Sequence, residues 1–343
     1  MGTASIDQDM RETARISRDR GRSANATTRD RAAGPAEISQ AAFAARLAAA
    51  ARDVERLLDR LLSVKPAQHE IVRPRRLIEA MRYATLGGGK RLRPLLVIES
   101  ASLFGVPRPR ALMTAAAVEC VHCYSLVHDD LPAMDNDTLR RGQLTVHRAY
   151  DEATAILVGD SLLTFAFDVL ARTETHPDPA VRVALIGALA RAAGLGGMAG
   201  GQLLDLAAEG RYGRARLAEK DIAMLHAMKT GALIRFTCEA GAILADAPQA
   251  AHEALGRYGR ALGQAFQIAD DLLDLEGDAS VVGKKTGKDA KQGKATLVAA
   301  LGRDGAHARL AALTVTAERA LRPLGARAGM LRAAARFVAT RRT

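Results

Sequence analysis

Two clusters of aspartates are the residues whose types and spacing most clearly point to chemistry. The first lies in His128–Asp137, where four carboxylates follow the apolar helical run Ala115–Val127. Carboxylates at the C-terminal end of a helix are unfavourable, because that end already carries partial negative charge. A solvated helix end leaves this conflict in place, whereas a bound cation removes it. Oxygen ligands suit Mg²⁺ that bridges to phosphate, so the segment predicts a divalent-cation site.

The second cluster is Asp270, Asp271 and Asp274, inside the apolar helical pattern 261–275. Asp270 and Asp274 are one helical turn apart and therefore point the same way. Like charges at this spacing destabilise a helix unless something neutralises them. One such cluster arises easily by chance. Two of them, about 140 residues apart and each next to apolar helix, predict a shared site for several metal ions.

Cationic segments accompany both clusters. The segment Gly87–Pro94 places three cations within four residues behind a run of glycines, a composition that suits a diphosphate. Arg140-Arg141 follows the first acidic cluster, Lys229-Thr230 lies between the two, and Gly283–Lys294 follows the second. Taken singly, Gly87–Pro94 and Gly283–Lys294 are better explained by a helix cap or a solvated loop, and Arg140-Arg141 is ambiguous. The glycine-dense segment Gly197–Gln202 predicts a close helix approach or a ligand, since glycine costs a helix about 1 kcal/mol relative to alanine.

The elements that must position these residues are helices. From Ile38 onward apolar residues recur at spacings of three and four, and strand-like alternation is absent. We therefore predict an all-α fold with one large domain over 40–343. Residues 1–39 lack apolar periodicity and are predicted to be a disordered tail. The runs 111–128 and 230–244 are apolar almost all round, which predicts interior helices.

Composition excludes several classes of protein. The net charge of +11 and a pI near 10.0 invite a nucleic-acid partner. However, the basic residues lie on either side of an acidic middle, 111–275, and aromatic residues are only 3% with no Trp, which disfavours base stacking. No uninterrupted apolar stretch reaches the roughly 18–20 residues that span a bilayer. Three cysteines cannot build a disulfide framework. We expect a cytoplasmic protein with neither nucleic acid nor membrane as a partner.

The motifs together resemble the trans-polyprenyl diphosphate synthases. They are Gly88–Pro94, Asp129–Gly142 with its Asp-Asp-x₄-Asp spacing, and Asp270–Asp274, and the likeness extends from about residue 40 to 302. The resemblance implies the isoprenoid synthase fold, a single-domain helical bundle around a central active-site cavity, and a homodimer. It implies head-to-tail condensation of isopentenyl diphosphate with dimethylallyl or geranyl diphosphate. It also implies Mg²⁺ as cofactor, three ions per site, with Mn²⁺ able to substitute.

The resemblance assigns roles residue by residue. The implied metal ligands are Asp129, Asp130, Asp135, Asp270 and Asp274. The residues implied to neutralise the allylic diphosphate are Arg140, Lys229 and Lys284. Those implied to bind isopentenyl diphosphate are Lys90, Arg93, His122 and Arg141. The residues implied to lie beside the developing allylic cation are Thr230 and Gln267, and Lys294 is implied to help close a loop. No catalytic His or Glu base is expected, because the departing pyrophosphate takes the final proton.

Product length is the finer question. Four residues separate Asp130 from Asp135, and Tyr124 lies five residues before Asp129, where its side chain can form the floor of the product pocket. A spacing of four residues between these aspartates, together with an aromatic residue at position 124, resembles the bacterial farnesyl diphosphate synthases. The expected product is therefore (2E,6E)-farnesyl diphosphate, C15. A geranylgeranyl (C20) or geranyl (C10) diphosphate synthase is the alternative.

Other classes fit less well. A class I terpene cyclase would share one aspartate cluster but would not need the basic segment Gly89–Arg91. A silent regulatory subunit would usually have lost one of the clusters, and both are intact. The pair Cys120 and Cys123 has no second pair to complete a metal site and is predicted to be structural. Leu144, Asp151 and Leu297 depart from the family's usual pattern, and none of them is among the implied metal or principal phosphate residues.

Overall fold

The computed structural model describes residues 38–213, 218–276 and 297–340, which fold almost entirely into α-helices. The helices are α1 (Gln40–Leu61), α2 (Arg75–Leu86), α3 (Leu92–Ser102), α4 (Arg108–Asp129), α5 (Val146–Ala149), α6 (Glu152–Ala171), α7 (Pro179–Ala193), α8 (Met198–Ala208), α9 (Glu219–His226), α10 (Ala232–Leu244), α11 (Gln249–Glu276), α12 (Leu297–Ala320) and α13 (Gly329–Thr340). A π-helical turn, Ala227–Gly231, joins α9 to α10, and two 3₁₀ turns, Arg322–Leu324 and Ala326–Ala328, precede α13. The prediction of an all-α fold is confirmed. The division at residue 39/40 stays a prediction, since residues 1–37 lie outside the described part.

Two strands interrupt the helical pattern within the described residues. They are β1 (Leu139–Arg140) and β2 (Gln143–Leu144), which pair antiparallel. The two-residue loop between them, Arg141-Gly142, has φ values of 53° and 77°. Two consecutive positive φ angles define a type I′ turn, the turn that matches the twist of a tight hairpin. The sequence analysis did not predict this hairpin, because two residues per strand are too few to show an alternating pattern.

The centre of the molecule is α4. It packs against α3 and α6, and the run Ala115–Val118 on it is completely buried. On α10, which packs against α3 and α11, Leu233, Ile234 and Phe236 are buried. A helix that is apolar all round must be surrounded by protein. The prediction that these two segments are interior helices is therefore confirmed.

Local sequence signals set several helix boundaries. Asp151 accepts a hydrogen bond from the Thr154 backbone N–H at 2.7 Å and caps the N-terminus of α6. Asp178 caps α7, with Pro179 as its first residue. Near the C-terminus α12 consists of two helical stretches that meet at a kink at Gly302, whose backbone is non-helical, with φ of 71° and ψ of 168°. Only a residue tolerant of positive φ can make such a kink without strain.

Three of the described segments bear on the expectation that the protein has no membrane partner. Arg108–Asp129, Glu152–Ala171 and Pro179–Ala208 are each long and apolar enough to cross a bilayer by length and composition. In the first of these, 72% of the apolar window is buried inside the protein, because α4 is the core helix. In the other two the buried share falls to 44% and 33%, so α6, α7 and α8 present apolar surface outward.

Candidate active site

The first acidic cluster lies where α4 ends. Asp129 is the last residue of the helix, and the loop after it folds back so that the Asp135 backbone N–H donates to the Asp129 carbonyl at 2.8 Å. This bond brings the two residues together although five positions separate them. Loss of water raises the pKa of Asp129 to about 7, with Lys229 opposing the shift and Asp135 adding to it. The carboxylates therefore crowd one another in a poorly hydrated place.

Asp130 points away from that loop and into the protein. It is 3% exposed and forms a two-pronged ion pair with Arg140, whose Nε lies 3.0 Å and 3.3 Å from the two carboxylate oxygens. Burial raises the pKa of Asp130, against the lowering effect of Arg140. Asp137 lies 3.6 Å from the same guanidinium. The β hairpin that carries Arg140 is thus anchored to the end of α4.

Lys229 reaches the site from the π-helical turn. Its Nζ lies 2.5 Å from Asp205 Oδ2 of α8. Desolvation lowers the pKa of Lys229, but Asp205 and then Asp129 outweigh it, and the net shift is upward. The amine is therefore a cation. A π-helical turn holds one extra residue, which changes the register of the side chains around it, and such turns are frequent at functional sites.

The backbone of α8 touches that turn directly. A Cβ added at Gly201 would lie 2.2 Å from the Lys229 backbone nitrogen, closer than real Cβ contacts come. No residue with a side chain fits there without moving one element. The glycine-dense segment predicted from sequence to allow a close approach therefore does so, and its partner is the turn that carries Lys229.

The second acidic cluster lies on α11. Asp270 and Asp274 are half-buried on this helix, whereas Asp271 is buried. A chain of hydrogen bonds ties the cluster to the π-helical turn: Thr230 Oγ1 donates to Gln267 Oε1 at 2.9 Å, and Gln267 Nε2 donates to Asp271 Oδ1 at 2.8 Å. Because the glutamine amide is oriented at both ends, it holds the Thr230 hydroxyl in a fixed place.

A cavity of about 430 Å³ lies between the end of α4 and the π-helical turn. Asp129, Lys229 and Thr230 line it together with Tyr124. Its other walls are mostly apolar and come from α4, the loop after it, α8 and α10: Leu126, Met134, Met198, Ala199, Leu203, Leu206 and Leu233. Burial, and secondarily Asp129, raises the pKa of Tyr124 to about 12, so its hydroxyl stays protonated. The cavity thus carries charge at one part of its wall and hydrocarbon at the rest.

A second, smaller cavity of about 90 Å³ is basic. All four residues implied to bind isopentenyl diphosphate line it: Lys90, Arg93, His122 and Arg141. Burial lowers the pKa of His122 well below its ordinary value, helped by the neighbouring arginines, so the ring is neutral. Its Nε2 lies 3.4 Å from Arg93 Nη1, and since a guanidinium only donates, this nitrogen is the acceptor. Arg93 and His122 also line the larger cavity, so the two cavities share a wall.

Arg91 corrects one inference from sequence. It was grouped with Lys90 and Arg93 as a cation suited to a diphosphate, but its side chain is completely buried. It pairs with Glu119 of α4, and its Nη2 lies 3.2 Å from Glu55 of α1. Although the residue lines the edge of the basic cavity, two carboxylates already take its charge. Arg91 joins α1, α3 and α4 beneath the phosphate-binding segment.

Several relevant residues were missed by sequence reasoning. Asp205, which holds Lys229, follows the glycine-dense segment, and its carboxylate on an apolar helix was the available signal. Arg211 donates from its two Nη atoms to the carbonyls of Ala133 and Met134, each at 2.6 Å. It thereby ties the end of α8 to the first acidic loop. Two implied residues, Lys284 and Lys294, lie outside the described residues.

The carboxylates of the site suit Mg²⁺ better than zinc. Within the described ranges, no three His, Cys, Asp or Glu side chains converge closely enough to hold an ion by themselves. Zinc sites are built from three or four protein ligands, often His and Cys, and are disfavoured here. Mg²⁺ is ordinarily held by one or two carboxylates together with substrate phosphates. Asp129 and Asp135 beside Lys229 match that arrangement, so the residues fit the implied ion.

Comparison with known proteins places the chain in a class. The family model for polyprenyl synthetase matches residues 74–319, and the protein belongs to this family. It is 42% identical to the farnesyl diphosphate synthase of Escherichia coli (strain K12) over 284 residues, 82% of this chain and 92% of that protein. It is also 42% identical to the farnesyl diphosphate synthase of Geobacillus stearothermophilus over 250 residues, 73% of this chain and 83% of that protein.

A solved structure agrees with these sequence relatives. An FPP/GFPP synthase from Zymomonas mobilis superposes with a TM-score of 0.77 at 43% identity, covering 87% of this chain and 99% of that one. The predicted family and its helical-bundle fold are therefore confirmed, and the protein is a prenyltransferase.

Proposed function

We propose that this protein condenses isopentenyl diphosphate with dimethylallyl or geranyl diphosphate to give (2E,6E)-farnesyl diphosphate. One observation carries the proposal. A cavity with an acidic cluster and hydrocarbon walls shares Arg93 and His122 with a basic cavity, so two diphosphates of different chemistry can bind side by side. The relatives bearing the name farnesyl diphosphate synthase support C15 over the C20 and C10 alternatives.

The chain's own residues account for most of the chemistry. Lys229 and Arg140 neutralise the allylic diphosphate as its C–O bond breaks and it leaves with the electron pair. Lys90, Arg93 and Arg141 hold the second diphosphate, so that the isopentenyl double bond faces the allylic carbon. Mg²⁺, held by Asp129, Asp135, Asp270 and Asp274 with Asp130 behind them, would supply further charge neutralisation on the leaving group.

The larger cavity protects the cation that forms. Its apolar walls exclude water, which would otherwise capture the cation as an alcohol. Thr230, whose Oγ1 donates to Gln267, lines the same cavity, so the π-helical turn presents an oriented hydroxyl dipole to the cation. Attack by the isopentenyl double bond makes the new C–C bond, and the departed pyrophosphate takes the proton that restores the double bond.

The protein is further proposed to act as a homodimer in the cytoplasm. Apolar side chains on α6, on α7 and in the turn before α8 face outward: Ile156, Leu157, Val183 and Leu195. Such a patch is typical of a surface that another protein covers. All three cysteines are free and buried, which fits a reducing compartment. Light scattering on the purified protein distinguishes a dimer from a monomer.

Incubation with isopentenyl diphosphate, geranyl diphosphate and Mg²⁺ tests the function. We expect a C15 product, identified by gas chromatography after dephosphorylation, and Asp129→Ala and Asp270→Ala should each abolish turnover with an unchanged helical circular dichroism spectrum. The matched control is Asp168→Ala, which removes an exposed carboxylate of α6 that pairs with Arg172. Absence of any prenyl product from the wild type would refute the proposal.

A further inference from the structure

Tyr124 and His128 form one unit at the wall of the larger cavity. They are one turn apart on α4, and their rings meet edge to face, with centroids 5.9 Å apart and planes at 79°. Both side chains line the cavity. Tyr124 is the residue expected to stop chain growth, so whatever fixes its ring also fixes the depth of the cavity.

The other side of the His128 ring is held by α6. Its Nε2 lies 3.0 Å from the Ile156 carbonyl oxygen, and since a carbonyl only accepts, this nitrogen carries a proton. The ring rests on Gly159, where an added Cβ would lie 1.9 Å from Nε2 and 2.3 Å from Cδ2. Even a methyl group at this position would displace the ring. The absence of a side chain at Gly159 therefore leaves the space that the His128 ring occupies.

We propose that His128 is a positioning residue for chain length: α6, through the Ile156 carbonyl and Gly159, holds the His128 ring, and that ring holds Tyr124 across the end of the cavity. This inference rests on the proposed function and adds His128 as a second layer of residues behind Tyr124. A tyrosine has a small number of stable rotamers, and its floor position needs a neighbour that blocks the others. The His128 ring is that neighbour, and an edge-to-face aromatic pair contributes about 0.5–1.5 kcal/mol.

Two substitutions act on this device in opposite directions. His128→Ala removes the support, so Tyr124 can rotate away and the cavity deepens. We expect the ratio of C20 to C15 product to rise about fivefold. Gly159→Ala pushes the ring away from α6, which lies behind it, and toward the cavity in front. We expect the C10 share to rise instead.

A double variant separates support of Tyr124 from a direct effect of His128. If the histidine acts through the tyrosine, Tyr124→Ala with His128→Ala gives the same product distribution as Tyr124→Ala alone. The matched control is Gly187→Ala, a glycine inside α7 whose added Cβ would meet only the Arg191 guanidinium at 3.4 Å. It should leave the product distribution unchanged.

The outcomes that overturn the inference are specific. An unchanged C20 to C15 ratio in active His128→Ala would do so, as would an additive double variant or an equal shift in Gly187→Ala. A crystal structure of His128→Ala supplies a readout that is independent of activity. The Tyr124 side chain should change rotamer or occupy more than one conformation. A Tyr124 ring in its present position refutes the proposal. A wild type that makes C15 product separates these results from failure of the proposed function.

Discussion

Substitution of Gly201 by alanine should inactivate the enzyme through the π-helical turn rather than through any catalytic group. The added Cβ would lie 2.2 Å from the Lys229 backbone nitrogen and 2.6 Å from its Cα, whereas ordinary contact begins at 3.4 Å. The turn and α8 must therefore separate by about 1.2 Å. A misplacement of roughly 1 Å in a catalytic arrangement costs about 100-fold in rate, or about 2.7 kcal/mol of transition-state stabilisation.

The assay is kcat/KM with geranyl and isopentenyl diphosphates, together with denaturant unfolding. Overpacking of this kind also costs about 1–3 kcal/mol of stability, so unfolding shows how much of the fold survives. The matched control is Gly196→Ala, five residues earlier, where an added Cβ would meet no atom within 4 Å. Gly201→Ala with activity within threefold of the wild type would show that the placement of Lys229 does not depend on this contact.

Three further predictions concern the cavity, its rim and pH. Tyr124→Ala should shift the product from C15 toward C20 in gas chromatography, and an unchanged product would refute its role as floor. Arg211→Ala loses two hydrogen bonds, worth about 2 kcal/mol, and should raise KM for the allylic diphosphate roughly 30-fold without changing KM for isopentenyl diphosphate. The control is Arg182→Ala, which removes the hydrogen bonds to two carbonyls of a distant turn and should change neither KM value. Burial lowers the pKa of His226 from 6.5 to about 4. Between these pH values the unfolded chain binds a proton that the folded chain does not. The free energy of unfolding should therefore fall by up to about 3 kcal/mol as the pH falls from 6.5 to 4. His226→Gln should lose this part of the pH dependence in urea unfolding, and an identical pH profile would contradict it.

The sequence indicates which residues lie close together more reliably than it indicates what each side chain does there. Lys90, Arg91 and Arg93 are chemically similar neighbours, yet one is buried. Arg91 has φ of 51° and precedes α3, and this left-handed backbone directs its side chain to Glu119 rather than to the cavity. Neither the turn nor the distant carboxylate has a signature in the local sequence.

The contacts of Arg211 could not be predicted from the sequence either. Gly210, with φ of 87°, ends α8 in a Schellman motif, in which the Arg211 N–H donates to the Leu206 carbonyl at 3.3 Å. That motif fixes where the side chain starts. However, its acceptors are backbone carbonyls of Ala133 and Met134, and because every residue has a carbonyl, no pattern of residue types could have identified them.

The common wall of the two cavities has a consequence for repeated elongation. In head-to-tail condensation the product keeps the diphosphate of isopentenyl diphosphate, so after each round it lies in the basic cavity, whereas the next round needs it beside Asp129. Arg93 and His122 face both places. A diphosphate can therefore be passed from one cavity to the other while it remains in contact with the same guanidinium. Processivity then becomes a competition at that wall between transfer of the intermediate and its release into water.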